Sequence, residues 1–327
     1  MSEHPLVSVV IPARNEVADI AACIACVAEQ HYPLDRIEVV VVDGSSTDGT
    51  AAAAGAALAQ HAFHHTAVLA NHEATTPTNL NVGLRYATGE IVCRVDARTR
   101  IEPHYVRTCV RVLQDRPEVA VVGGAQHAVA RDGSARSVGI ARALNNRYAM
   151  GGSPYRRSTQ SGPSDTVYLG AFRRAELLEA RGWDERLVTN QDFDLNRRMA
   201  ARGLVWFEAS LRSGYLPRAT FADLWRQYVR FGRAKVAYWR TSGDRPQRRQ
   251  QVLLALPVVG LLVLALSSAR GRIVPVVGAG FAGVFAVERV GSDQRRARLS
   301  HHLAAALAMG CVGAGWTLGA WQEAAHR

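Results

Sequence analysis

The segment Gly89-Glu90-Ile91-Val92-Cys93-Arg94-Val95-Asp96-Ala97-Arg98 runs through apolar, mostly β-branched residues and stops at a carboxylate. Such a run reads as a buried strand that delivers Asp96 to the carboxyl edge of a parallel sheet, where open α/β sheets bind ligands. Upstream, residues 7–11 and 38–42 are two more apolar runs that end in polar clusters. Downstream come a second carboxylate cluster, Gln191-Asp192-Phe193-Asp194, and an apolar tail. The first half therefore reads as the binder of a nucleotide-type ligand and the second as the part that handles its reaction partner.

A chain of 327 residues is long enough for one large catalytic domain with an appendage. It carries 39 basic and 28 acidic residues, a net charge of +11, which calls for an anionic partner: nucleic acid, nucleotide or phospholipid. Much of the excess flanks the apolar tail segments, with Arg240, Arg245, Arg248 and Arg249 before one and Arg289, Arg295, Arg296 and Arg298 between two others. That pattern favours the cytoplasmic side of a membrane over a nucleic-acid groove. Cysteines at 23, 26, 93, 109 and 311 lack the dense spacing of a disulfide scaffold, and the lone CxxC at 23–26 reads as helix packing, not as a metal site. Residues 1–11 lack the basic start and long apolar core of a signal peptide, so the N-terminus is expected to stay inside.

In chain order, the 7–11 strand is broken by Pro12-Ala13-Arg14-Asn15-Glu16 before a helix over about 17–30. A strand over 37–42 ends in Asp43-Gly44-Ser45-Ser46-Thr47-Asp48-Gly49-Thr50, either a close-approach ligand loop or an ordinary turn with Thr47 or Asp48 as the cap of the helix over 50–61. A strand at 67–70, a helix over 79–87, the strand to Asp96, a helix over 103–114 and a strand over 119–123 continue the alternation. The result is a Rossmann-like, doubly wound, mostly parallel α/β sheet without internal repeats. Neither GxGxxG nor GxxxxGK[ST] occurs. Residues 132–165 show no period; 165–172 read as a strand, 174–180 as a helix closed by Gly182, and the Asp192 cluster opens a helix through Gly203.

Residues 221–239 combine Trp225, Tyr228, Phe231, Tyr238 and Trp239 with Arg226, Arg230, Arg233 and Lys235. This suits a helix at a bilayer interface, or alternatively a core helix with a solvated basic face. Uncharged runs follow at 250–269, 273–287 and 299–322; the first and third are long enough to span a bilayer and the second is marginal. Either all three cross, or the first two form a re-entrant hairpin. The expected organisation is a catalytic domain over 1–240, its interfacial helix at 221–240, and a membrane region over 241–327 with two or three apolar helices.

Seven motifs occur in one order: Val7-Ser-Val-Val-Ile-Pro-Ala-Arg-Asn-Glu16, Val41-Val-Asp-Gly-Ser-Ser-Thr-Asp-Gly-Thr50, Asn81-Val-Gly-Leu84, Asp96-Ala-Arg98, Leu169-Gly-Ala-Phe-Arg-Arg174, Gly182-Trp-Asp-Glu185 and Gln191-Asp-Phe-Asp-Leu195. In these, residues 7–239 resemble the inverting nucleotide-sugar glycosyltransferases of family 2, which have the GT-A fold. The Asp-Ala-Arg variant, Asp165-Thr-Val-Tyr-Leu-Gly170, Gln227-Tyr-Val-Arg-Phe-Gly-Arg233 and the apolar tail look most like the succinoglycan-type glucosyltransferases of bacterial exopolysaccharide synthesis.

The resemblance implies a donor site made by Pro12, Ala13, Asn15, Glu16, Asp43, Ser45, Asn79, Asp96, Arg98 and Arg230, with Asp43 on the uracil or other base. It implies that Asp96 contacts ribose and helps place a divalent metal, Mg2+ or Mn2+, on the diphosphate. Asp192 would be the catalytic base, and Leu169, Gly170 and Gln191 would face the acceptor. The implied reaction moves a sugar, glucose from UDP-glucose, to a lipid-linked or polysaccharide acceptor on the cytoplasmic face of the cell (inner) membrane. A UDP-sugar, that acceptor and membrane lipid are the implied partners, and nucleic acid is not. A sugar hydroxyl is a poor nucleophile, so a positioned carboxylate must take its proton as it attacks the anomeric carbon.

Three positions depart from the family pattern. Arg98, which cannot bind a cation, stands at the last DxD position; Thr76 stands where a lysine is common; Gln191 replaces the common Glu beside the base. Arg98, with Arg230, is therefore expected to supply positive charge against the diphosphate and to weaken metal dependence. The competing expectation is a catalytically degenerate membrane component of a polysaccharide assembly complex.

Overall fold

The computed structural model describes residues 4–148, 159–248, 250–255, 260, 263, 273–291 and 297–326. The chain divides into two compact units, Met1–His127 with Pro154–Tyr215, and Ala128–Ser153 with Leu216–Arg327.

The first unit is built on β1 (Val7–Ala13) and β2 (Ile37–Asp43), which pair in parallel from Val7↔Ile37 to Ala13↔Asp43 and are buried almost throughout. Both faces are covered, so both strands need apolar residues at nearly every position. Alternation still sorts them: Val9, Ile11, Val39 and Val41 join Ile20, Ile24 and Val27 of α1 (Ile20–Ala28) in one core, while Val10 joins Leu80 and Leu84 of α3 (Thr76–Tyr86) in the other. Glu38 is a buried charged exception within β2. Its carboxylate accepts from the Ser8 hydroxyl and from the Thr88 N–H at 2.9 Å, which satisfies a charge that would otherwise be costly inside.

The parallel half is completed by β3 (His65–Ala70) on β2 and β4 (Ile91–Arg94) on β1, with α2 (Thr50–Leu58) between β2 and β3. After β5 (Thr99–Ile101), α4 (Tyr105–Asp115) and β6 (Val119–Ala128), the sheet turns antiparallel. The later strands are β7 (Gly162–Pro163), β8 (Tyr168–Arg173) and β9 (Leu204–Tyr215), and the order across the sheet is β3-β2-β1-β4-β8-β6-β9-β5, with β7 on β9. Helices α6 (Arg174–Glu179) and α7 (Gln191–Ala200) cover the Val10 side through Leu177, Leu195 and Met199.

Several expectations are corrected. Pro12 does not end β1. It lies past Val10, the last residue of β1 paired with β4, so its missing N–H breaks no bond of that ladder. The Asp96 strand ends at Arg94, and Asp96 stands in the turn beyond it. The twelve-residue strand β9, unread in the sequence, alternates buried Val205, Phe207, Leu211 and Ser213 with more open positions.

In the second unit, residues without a visible period include α5 (Ala135–Asn145), whose N-cap Ser134 accepts from Ser137 N–H at 3.2 Å. Three further helices are α8 (Phe221–Ser242), α9 (Ile273–Gly291) and α10 (Leu299–Ala325). Helix α8 packs along α10, where a Cβ at Gly232 would lie 1.9 Å from the Trp316 carbonyl oxygen and one at Gly319 would lie 1.9 Å from that of Val229. Buried Arg142 of α5 pairs with Glu288 of α9 at 2.8 Å, and Glu288 meets His302 of α10 at 2.5 Å. The described helix α10 is long and apolar enough to cross a membrane by length and composition, and 50% of its most apolar window is buried. The 273–287 run falls within α9, whereas most of the 250–269 run, with Arg270, Arg272, Arg295 and Arg296, lies outside the described residues.

Candidate active site

Two loops at the carboxyl edge of β1 and β2 are stitched together by side chains. The Asn15 N–H donates to Ser46 Oγ at 2.8 Å, Glu16 N–H to Thr50 Oγ1 at 2.8 Å, Val17 N–H to Asp48 Oδ2 at 3.1 Å, and Thr47 N–H to Asn15 Oδ1 at 2.9 Å. Asn15 and Ser45 hold left-handed backbones, φ 54° and 56°, which this network fixes. The Thr50 hydroxyl bonded to Asp48 holds that carboxyl below its usual range, and Gly49 is the helix cap. Pro12 and Ala13 form the floor as the last residues of β1. Asn79, 2% exposed, bonds the carbonyls of Ala13 and Val42 at 3.4 and 3.3 Å, so it ties the strand ends together.

Asp43 ends β2 with its two oxygens in different states. Oδ2 accepts from Ser46 N–H at 3.0 Å, while Oδ1 is buried without a hydrogen-bond partner. Buried polar atoms are rarely left so.

Asp96, Asp192 and Arg94 form the other end of the site. Arg94 Nε and Nη2 donate to Asp96 at 2.9 and 3.3 Å, and Nη1 donates to Asp192 Oδ1. Asp192 sits in the first turn of α7, its side chain 39% exposed in a wall of protein. Desolvation raises its pKa, partly offset by Arg94 and by the neighbouring indole of buried Trp183, while Asp96 raises it further. Trp183 is in turn held by Asn81, which accepts from Trp183 N–H at 2.9 Å and donates to the Trp183 carbonyl and to Glu185 Oε1, both at 2.8 Å. Replacing Asn81 with Ala is expected to destabilise the protein by about 1–3 kcal/mol, because these buried groups lose their partners. Thermal melting checks this, and an unchanged Tm would show that Trp183 is held by packing alone.

Arg98 Nε meets Glu16 Oε1 at 3.1 Å, and its guanidinium lies 5.8 Å from the Tyr215 ring centroid. Its charge is thus met inside the protein. Leu169 and Gly170 both have positive φ, 65° and 102°, beside Tyr168, whose hydroxyl meets Thr99 Oγ1 at 2.7 Å. Gln191 is 8% exposed at the start of α7. Arg230 belongs to the second unit and lines a cavity of about 460 Å3 there with Arg218, Asp223, Trp225, Arg226 and Val229.

The donor set for a divalent ion is poor. Among the described residues no three His, Cys, Asp or Glu side chains converge, Asp96 is gripped by Arg94, and Arg98 occupies the position where a further ligand would stand. These residues do not fit a resident Mg2+ or Mn2+. Cys23 and Cys26 are packed in or against the core, with burial raising both thiols, as the packing reading of the CxxC expects.

Sequence reading missed Arg94 and Trp183. The signal for Arg94 was a lone charge inside an apolar run, two residues from Asp96. Trp183 gave none, since an indole within a Gly-Trp-Asp-Glu turn is also what simple core packing produces.

The family model described as Glycosyl transferase family 2 matches residues 8–180. The chain is similar to the succinoglycan biosynthesis protein ExoA of Rhizobium meliloti, 26% identical, covering 96% of this chain and 94% of that protein. It is also similar to the dolichyl N-acetyl-alpha-D-glucosaminyl phosphate 3-beta-D-2,3-diacetamido-2,3-dideoxy-beta-D-glucuronosyltransferase of Methanococcus voltae, 25% identical, covering 79% of this chain and 83% of that one. Among solved structures, the mannosyltransferase PcManGT of Pyrobaculum calidifontis, in complex with GDP-Man and Mn2+, aligns over 94% of this chain and 87% of its own with a TM-score of 0.59 at 23% identity. That likeness shows a shared GT-A fold. With over half of its length matched by the family model, the chain belongs to glycosyl transferase family 2 and is a glycosyltransferase.

Proposed function

We propose that the protein is an inverting, membrane-associated transferase that moves glucose from UDP-glucose to a lipid-linked or polysaccharide acceptor in cell-surface polysaccharide synthesis. The observation that carries the donor reading is the buried, unpartnered Asp43 Oδ1 at the floor of a preorganised loop pair. It is an acceptor waiting for a donor, and the N3–H of uracil supplies one. Similarity to a succinoglycan biosynthesis protein supports the polysaccharide setting, and the apolar helix α10 supports the membrane association.

In this reading the acceptor hydroxyl gives its proton to the Asp192 carboxylate while its oxygen attacks the anomeric carbon. The bond from that carbon to the diphosphate oxygen breaks, and its electron pair leaves with UDP. Attack from the opposite face inverts the centre. Asp96 faces the ribose, and Leu169, Gly170 and Gln191 line the acceptor side. Arg98 screens the diphosphate only to the extent that Glu16 releases it.

Calorimetric titration with UDP tests the donor assignment. Replacing Asp43 with Ala should weaken binding by roughly 10- to 150-fold, the value of about 1.5–3 kcal/mol for a hydrogen bond to a charged group. Equal affinity in both proteins would remove uracil from Asp43. A native chain that binds UDP but moves sugar from no nucleotide sugar would instead leave a degenerate assembly component.

A further inference from the structure

Arg94 is a charged side chain within an apolar strand, and its side chain is only 5% exposed. Taking a guanidinium out of water is costly unless its donors are paired, and here they are paired in two directions. The fork of Nε and Nη2 closes on Asp96, and the remaining arm, Nη1, reaches Asp192, which lies 98 residues away in the chain. The first contact is local: β4 ends at Arg94, and the chain just beyond it brings Asp96 back against the guanidinium. The second joins the end of β4 to the first turn of α7. Asp192 is thereby tied to the end of β4 by a side chain that is itself buried.

We propose that Arg94 is the positioning residue of the transfer reaction: one guanidinium holds the Asp192 carboxylate of the acceptor side in fixed register with Asp96 of the donor side. This rests on the transferase reading above and deepens it. Only arginine suits the task. Its planar fork presents donors in fixed directions and so can grip one carboxylate while the other arm holds a second, whereas lysine is a point charge on a flexible stem. A base that is present but loosely held loses rate far more than it loses ligand affinity, since a displacement near 1 Å in the reacting geometry costs about 100-fold.

The experiment compares the native full chain with Arg94→Lys and Arg94→Gln. Transfer of label from UDP-glucose to a polyprenyl-diphosphate-linked oligosaccharide is measured alongside UDP affinity and thermal melting. The expected result for Arg94→Lys is a kcat lower by about 100-fold with UDP affinity within about threefold of native. In an Asp192→Asn background the same substitution should cause no further loss of kcat, because its effect passes through that carboxylate. Arg94→Gln keeps a planar donor without the charge, guards against misfolding of the lysine variant, and should show the same split. A kcat within about threefold of native, a loss that persists in full in the Asp192→Asn background, or a joint collapse of Tm, UDP affinity and kcat in both variants would overturn the positioning role. A native chain that transfers nothing sinks the transferase reading and this proposal with it; native transfer with an unaffected Arg94→Lys sinks the positioning role alone.

Discussion

Replacing Asp192 with Asn should lower kcat by roughly 10²- to 10⁴-fold, the usual worth of a general base, while leaving UDP affinity near native. Asparagine keeps the shape and one acceptor for Arg94 but cannot take the proton. The pH dependence carries the sign of the same assignment. Burial lifts the pKa of Asp192 above its ordinary value of 3.8, with Asp96 adding to the rise and Arg94 opposing it. The base works only when ionised, so native kcat should fall as the medium is acidified through that raised pKa, above the range of a solvated carboxylate. The residual activity of Asp192→Asn should lack this limb. A substituted enzyme that retains both its rate and its acid limb would mean that another group removes the proton.

Gly232→Leu or Gly319→Leu should be the most damaging apolar substitution in the second unit. Both glycines lie where the backbones of α8 and α10 approach so closely that a first side-chain carbon would sit 1.9 Å from a carbonyl oxygen of the other helix. Backbone cannot rotate aside as a flexible side chain can, so the helices must separate. Overpacking costs about 1–3 kcal/mol where neighbours can adjust, and these sites should exceed that. Gly310→Leu is the control: it lies on α10 with nothing within 4 Å of its added Cβ, and leucine favours the helix more than glycine does. Thermal melting of the three variants decides the matter. Equal Tm values would show that α8 and α10 slide past one another freely.

The parallel half of the sheet was legible because β1, β2 and β4 are buried on both faces, which forces near-continuous apolar runs that little else produces. The antiparallel half was harder. In β9 apolar Leu204 and Trp206 fall on the more open face and Ser213 on the buried one, so the period-two signal is weak, and β5 is only three residues long. Helix α5 was hidden because Gly139 lies where its close packing on Ala304 requires a small residue, which in sequence reads as a loop. At the candidate site, the motif order singled out Asp43, Asp96 and Asp192, but which side chains they meet depends on long-range folding. The ion pair of Arg98 with Glu16, 82 residues apart in the chain, gave no sequence signal. Arg94 has the more consequential set of contacts.

The loop pair at the ends of β1 and β2 has a further consequence for how this protein meets a ligand. Backbone N–H groups of Asn15, Glu16, Val17, Ser46, Thr47 and Thr50 all donate to side chains of the neighbouring or same loop. Surface loops ordinarily exchange their amide hydrogens freely and are the first places a protease cuts. These amides should exchange slowly before any ligand arrives, and the segment should resist nicking and reject inserted residues. If this loop pair receives the donor as proposed, it does so as a cast mould, with its shape set when the chain folds.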